Sequence, residues 1–259
     1  MENYYTDIRN KNQSALEKTK TYPYKFKNVF VDGTCACFKT SVLSKIPSMK
    51  LNYKPKHRNT SNLSNLSYKN KYDYEAISNP QLFCDRTPIN CYDWIRMWEI
   101  ISFFGVEEDI DKQDILNKII EFEEYYDDER LVEQLTNSYC TVILTDERTK
   151  RVYERLRKRN TGSDYIRSFW KNYVEVQNVF YKRKAEKYNL IYIELSNYPN
   201  TNDYILASRA LMLEIKDNVD KNENVVVEKY EPVILPVSNQ FVDSNLMNAV
   251  FDFERFKSP

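Results

Sequence analysis

Short apolar runs alternate with amphipathic stretches through the middle of the chain, and that alternation predicts its architecture. Asn28-Val-Phe-Val-Asp32 is an apolar run closed by Gly33, and Lys39 to Ile46 has helical spacing that stops at Pro47, so together they read as strand, loop and helix. Pro80-Gln-Leu-Phe-Cys-Asp85 reads as a second buried strand. Trp94, Ile95, Met97, Trp98, Ile101 and Phe104 then share one face of a helix from Asn90 to Phe104. Ile115, Leu116, Ile119, Ile120 and Phe122 repeat the pattern from Asp111 to Tyr126. Tyr139-Cys-Thr-Val-Ile-Leu144 predicts a third strand, Arg148 to Arg159 a strongly basic helix, and Asp164 to Tyr188 one long helix. Leu190-Ile-Tyr-Ile-Glu194 and Asp203 to Lys216 add a fourth strand and a last helix. Strands separated by helices, without tight hairpin signals, predict a three-layer α/β fold with a central parallel sheet flanked by helices.

The ends of the chain differ from its middle. Residues 1–27 are polar and rich in Tyr and Lys, with a weak helical pattern from Ser14 to Lys20, and read as an N-terminal arm. The α/β domain is expected over 28–217, with a polar insertion at about 50–79 that has little periodicity. Residues 218–259 form a C-terminal extension too short for an independent domain.

Charge and composition narrow the function classes. Lys+Arg and Asp+Glu both count 38 in 259 residues, so no global field draws in DNA or an anionic membrane. Nucleic acid is therefore an unlikely partner, and any such role would need a local basic patch. No run approaches the roughly 18 apolar residues of a membrane span and the N-terminus lacks an apolar signal region, so an intracellular protein is expected. Five cysteines without a CxxC pair, beside a single histidine, argue against a zinc site or a secreted disulfide framework and for buried, reduced thiols. Three glycines and 21 tyrosines are the compositional oddities.

One stretch carries candidate chemistry. Gly33-Thr-Cys-Ala-Cys-Phe38-Lys39-Thr40 meets the phosphate-loop pattern G-x-x-x-x-G-K-[ST] at Gly33, Lys39 and Thr40 and breaks it at Phe38. The pattern has chemical content: backbone N–H groups cradle phosphates, the lysine reaches the terminal oxygens and the hydroxyl holds Mg²⁺. A glycine at the broken position lets the backbone curl around the anion, whereas a phenyl group adds bulk there.

In combination, Val-Phe-Val-Asp-Gly-(x4)-Phe-Lys-Thr, then Leu-Phe-Cys-Asp85-Arg86-Thr87-Pro88, then Glu154-Arg155-Leu156-Arg157-Lys158-Arg159 resemble the deoxynucleoside kinases and the related thymidylate kinases over about residues 28–215. The resemblance implies a P-loop kinase-like fold with ATP and Mg²⁺ as cofactors if active. It implies phosphate and nucleotide binding by Gly33, Lys39, Thr40, Arg155 and Arg159, the last two in a lid. Arg86 would meet the substrate or its phosphate, and Asp85 would serve metal or base chemistry, with Thr40 and Asp85 as the Mg²⁺ ligands. Three departures stand against activity. Phe38 interrupts the loop, no Asp or Glu occurs from Lys50 to Tyr72 where the general base is expected (Asp73 and Glu75 come late), and the lid dissolves into Asn-Thr-Gly-Ser after Arg159.

Two function classes follow. The first is a catalytically degenerate kinase fold acting as a self-assembling structural protein, the crystalline matrix of a viral occlusion body, with no cofactor. Its partner would be itself, through the arms and tyrosine-rich surfaces, in the nucleus or cytoplasm of an infected cell. Tyrosine ionisation near pH 10 would then dissolve the lattice in alkali. The second is an active ATP-dependent deoxynucleoside or thymidylate kinase with a divergent loop, with a nucleotide-binding but non-transferring protein between the two.

Overall fold

Alternate residues of the sheet face two different helical layers, as the period of a strand requires. The structure, a computed structural model, describes residues 13–21, 24, 27–46, 48–49, 83–126, 139–160, 162–197 and 200–221. Its strands are β1 (Val29–Gly33), β2 (Ser48–Met49), β3 (Phe83–Asp85), β4 (Cys140–Thr145) and β5 (Ile191–Glu194). They form one five-stranded sheet in the order β2-β3-β1-β4-β5, parallel at every pairing. The helices are α1 (Gln13–Thr21), α2 (Lys39–Leu43), α3 (Asn90–Phe104), α4 (Lys112–Tyr126), α5 (Thr149–Arg159), α6 (Gly162–Arg167), α7 (Tyr173–Lys187) and α8 (Thr201–Lys221). The fold is therefore the expected α/β architecture, a parallel sheet between two helical layers.

Both faces of the central strands are buried, which is why β1 and β4 read as continuous apolar runs rather than alternating ones. Val29, Val31, Val142, Leu144, Ile191 and Ile193 pack with Leu16, Val42, Leu211, Met212 and Ile215 from α1, α2 and α8. Ile143 faces the opposite layer, where Trp98, Ile101, Val174, Phe180 and Tyr181 of α3 and α7 fill the core. β1 sits at the centre with β3 and β4 on either side, so the loops leaving β1, β3 and β4 emerge side by side at the carboxyl edge. In parallel α/β sheets that edge is where ligands bind.

The structure corrects several sequence expectations. The helix expected over Asp164 to Tyr188 is two helices, α6 and α7, interrupted at Ser168–Asn172. Contacts distant in sequence cause the break: Lys171 N–H donates to the Val106 carbonyl at 3.0 Å, the Asn172 amide donates to the Gly105 carbonyl, and Trp170 packs edge-on against Trp98. Part of the expected N-terminal arm belongs to the core, because Ala15, Leu16 and Thr19 of α1 are buried and the Lys18 ammonium bonds the Leu190 carbonyl at 3.0 Å. The helix expected to end near Lys216 continues to Lys221 and buries Val219, so the boundary at 217 falls inside α8. Strand β2 was not expected. The insertion at 50–79 and the chain beyond Lys221 lie outside the described residues. Among the described residues, no helix is long and apolar enough to cross a membrane.

Candidate functional site

The loop between β1 and α2 begins at a glycine that the sheet requires. A Cβ on Gly33 would lie 2.0 Å from the Leu144 carbonyl oxygen of the neighbouring strand, and its φ is +125°, so no other residue fits. Behind the loop, Thr34 donates its N–H to the Leu144 carbonyl at 3.0 Å and its hydroxyl to Asn178 Oδ1 at 2.6 Å. Cys35 donates its N–H to Gln177 Oε1 at 2.9 Å. Gln177 and Asn178 are polar and buried on the mostly apolar inner side of α7, and they brace the loop from inside the core. Sequence reading passed over them, although two adjacent amides within a Val/Phe-rich helix are the available signal.

Phe38 occupies the left-handed region at φ 60°, ψ 16°, the conformation for which this position would ordinarily use glycine. Ala36 is also left-handed, at φ 53°. Each such non-glycine residue costs about 1–2 kcal/mol. The Phe38 ring turns sideways: it meets Tyr204 edge-on with centroids 5.4 Å apart, and the Arg155 guanidinium lies 5.1 Å from the ring centroid. The loop thus makes its left-handed turn without a second glycine. Cys37 packs into one core and Cys35 into the other, with Cys35 also forming part of the cleft wall. Burial, reinforced by the charge of Asp164, pushes the Cys35 thiol up to about 12, so it is not a nucleophile at neutral pH.

The front of the loop presents donors. Lys39 and Thr40 open α2, where the first N–H groups of a helix lack a helical acceptor. The Lys39 ammonium folds over the loop and donates to the Gly33 and Thr34 carbonyls at 2.6 and 2.7 Å. Thr40 Oγ1 donates to Asp85 Oδ2 at 3.2 Å, joining the loop to the end of β3.

A cleft of about 380 Å³ opens here, within the size range of ligand pockets. Its lining includes Gly33, Phe38, Lys39, Thr40, Asp85, Arg86, Arg155 and Arg159, so every site residue singled out from the sequence meets in one place. Five basic side chains line it against three carboxylates. Arg159 lies at the rim, 3.6 Å from Asp164, and is half exposed. A second cleft of about 360 Å³ lies beyond the ridge formed by Phe38, Arg155 and Lys158, and is walled by Arg148, Arg151, Leu195 and Tyr204. Arg155 is fixed on that ridge by bonds from Nε to the Ala36 carbonyl at 2.9 Å and from its terminal nitrogen to Asp146 at 2.8 Å. Asp146 is buried and is also held by Arg148 at 2.9 Å.

A solved structure of deoxyadenosine kinase from M.mycoides with bound dATP is similar to this chain. The likeness runs at 15% identity and a TM-score of 0.45, over 72% of this chain and 98% of that one. No protein-family model matches the chain, and no curated protein does.

The residue that sequence reading treated only as a strand end is Asp32. It is buried, and its two oxygens accept from Gly33 N–H at 2.8 Å, Thr87 Oγ1 at 3.1 Å, Asn90 Nδ2 at 2.8 Å and Tyr181 Oη at 3.1 Å. The donor set at the mouth suits a nucleoside triphosphate, because oriented N–H groups, a lysine and arginines are what phosphates need. The Thr40 hydroxyl and Asp85 carboxylate are hard oxygen donors of the kind Mg²⁺ takes. Among the described residues no group of three or more His, Cys, Asp and Glu side chains is arranged to hold a metal, so a Mg²⁺ ion here would share its coordination with phosphate and water.

Proposed function

We propose that this protein is an ATP-dependent kinase acting on a small nucleoside-like hydroxyl acceptor. The observation that carries the reading is Phe38: its backbone adopts the left-handed turn while its ring leans on Tyr204, so the space in front of Lys39 stays open. A nucleoside triphosphate is long enough to straddle the Phe38–Arg155 ridge, with its phosphates at Lys39 and its base in the smaller cleft.

The assigned roles follow from charge and position. The loop N–H groups and Lys39 bind the terminal phosphates, and Lys39 must leave the Gly33 and Thr34 carbonyls to do so. Thr40 and Asp85 would hold Mg²⁺, which when bound neutralises charge on the bridging and terminal oxygens. Arg86, Arg155 and Arg159 offset the charge that spreads over the transferred group. The acceptor oxygen bonds to the terminal phosphorus as the bond to the bridging oxygen breaks, and the hydroxyl proton passes to an oxygen of the transferred phosphoryl group, because Asp85 is committed to the metal.

The test is calorimetric binding of ATP–Mg²⁺, paired with transfer of labelled phosphate to a panel of deoxynucleosides and their monophosphates. Lys39-dependent binding with transfer is the expected result. Binding abolished by Lys39→Ala but without transfer would reduce the reading to a nucleotide-binding protein, and no binding at millimolar nucleotide would overturn it. The alternative of an assembling structural protein, the matrix of a viral occlusion body, gains nothing from the described residues. No tyrosine whose side chain is described is exposed, so the tyrosine-rich contact surface has no counterpart among them.

A further inference from the structure

A chain of hydrogen bonds leaves the phosphate loop at Thr34 and returns to it at Ala36. Thr34 donates its hydroxyl to Asn178 Oδ1 at 2.6 Å, and Asn178 Nδ2 donates to the Asp146 carbonyl at 2.9 Å. Asp146 follows the end of β4, and its carboxylate accepts from Arg155 Nη2 at 2.8 Å. Arg155 Nε then closes the ring on the Ala36 carbonyl at 2.9 Å. Ala36 is left-handed at φ 53°, a conformation that persists only where the surroundings over-determine it. The two bonds of Arg155 also fix the plane of its guanidinium, because a rigid fork held at two nitrogens cannot turn about the bond that carries it. Nε and Nη2 are committed, and the direction of Nη1 is set by that plane. Arg155 lines both clefts, so its orientation matters to whatever lies across the ridge.

We propose that Asp146 is a positioning residue that acts through Arg155: it sets the rotation of the guanidinium that stands against the phosphate loop, and so the direction in which Nη1 meets the transferred phosphoryl group. The proposal rests on the assignment of Arg155 to that group under the kinase reading. It explains a carboxylate only 1% exposed in the wall of a cleft whose ligand is anionic. A negative charge gains nothing there from the ligand, and its value lies in the arginine it orients. Arg148 holds the same carboxylate at 2.9 Å, so Asp146 is itself fixed while it fixes Arg155. Loss of the carboxylate leaves the Nε bond to Ala36 untouched. Arg155 therefore keeps its place on the ridge and loses only the fixed direction of its terminal nitrogens.

The experiment is side-chain NMR of arginine-labelled full-length protein, with Arg155 assigned through Arg155→Lys, alongside kinetics. In the wild type the Arg155 terminal nitrogens should rotate slowly. In Asp146→Ala they should average as in a solvated arginine while the Nε proton stays protected from exchange, and Arg183, held by Glu123, should be unchanged. KM for ATP–Mg²⁺ should stay within about three-fold as kcat falls about ten-fold or more, and the Asp146→Ala/Arg155→Ala double variant should be no slower than Arg155→Ala alone. Additive losses in the double variant would overturn the proposal. So would a variant that melts earlier with its Arg155 signals unmoved, since Asp146 would then be structural only. A wild type without turnover defeats the kinase reading but leaves the NMR arm to decide the positioning claim. Should Asp146→Ala fail to fold, Asp146→Val, closer in shape and equally without an acceptor, carries the test, and fast rotation of the Arg155 terminal nitrogens in the wild type overturns the claim without any variant.

Discussion

The Phe38 ring meets the Tyr204 ring edge-on, 5.4 Å between centroids, across a loop and a helix far apart in sequence. That contact is what the chain gains in exchange for a left-handed phenylalanine. Replacement by glycine removes about 1–2 kcal/mol of backbone strain. It also loses an edge-to-face pair of about 0.5–1.5 kcal/mol and an Arg155–ring contact of about 0.5–1 kcal/mol, and adds a comparable chain-entropy term. Phe38→Gly is therefore expected to be destabilised by no more than about 1–2 kcal/mol. Phe38→Ala keeps the strain and loses the ring, so it should unfold at lower denaturant than Phe38→Gly. An alanine variant as stable as the glycine variant would show that Phe38 is not left-handed.

Thr40 and Asp85 touch at 3.2 Å, and both are candidate Mg²⁺ ligands. Thr40→Val keeps the shape and removes the hydroxyl. Calorimetry with and without a chelator should then show ATP binding that Mg²⁺ no longer strengthens, with metal affinity down at least about ten-fold. Binding that still strengthens fully with Mg²⁺ would place the metal elsewhere.

Lys184 of α7 and Asp93 of α3 form a buried ion pair at 2.5 Å, with side chains only 4% and 2% exposed. Burial pushes the Asp93 carboxyl above its ordinary value, and the lysine opposes that shift. Lys184→Met strands the carboxylate and should cost about 3–5 kcal/mol in a denaturant melt. The loss should shrink as pH falls, because protonated Asp93 no longer needs a partner. Adding Asp93→Leu should recover most of the stability at neutral pH; a double variant as unstable as the single one would refute this account.

The sheet and the helices were legible because local periodicity produces them: Val29–Gly33 and Cys140–Thr145 are fully buried runs, and Asn90–Phe104 was located to the residue. The eight residues singled out from the sequence line one cleft, and each stood in a local signature: a loop patterned on G-x-x-x-x-G-K-[ST], a strand-end Asp-Arg-Thr or a basic helix. What escaped depends on contacts distant in the chain. The break at Ser168–Asn172 is imposed by Gly105 and Val106, and the conformation of Phe38 is supported by Tyr204. Asp32 becomes a hub only when Asn90 and Tyr181 are brought to it from two helices. A one-dimensional pattern carries none of that information.

Alkali offers the last prediction. Burial pushes the Tyr173 and Tyr181 hydroxyls well above 10, helped by the charges of Cys35 and Asp164 at Tyr173 and of Asp32 and Asp93 at Tyr181. Tyr153 and Tyr192 are raised in the same way, burial again being the main cause. Above pH 10 the unfolded chain gives up these protons while the folded chain keeps them, so the unfolded state binds fewer protons and stability falls as pH rises. For Tyr173 and Tyr181 the slope approaches about 1.4 kcal/mol per pH unit for each group. The window opens near the ordinary value of 10 and runs up to the raised folded values. These tyrosines should therefore ionise together with loss of circular dichroism rather than ahead of it. Alkali acts on them by unfolding the chain, not by charging a folded surface. Tyrosinate absorbance from Tyr173 and Tyr181, identified through Phe variants, that grows while the far-ultraviolet dichroism stays intact would contradict this.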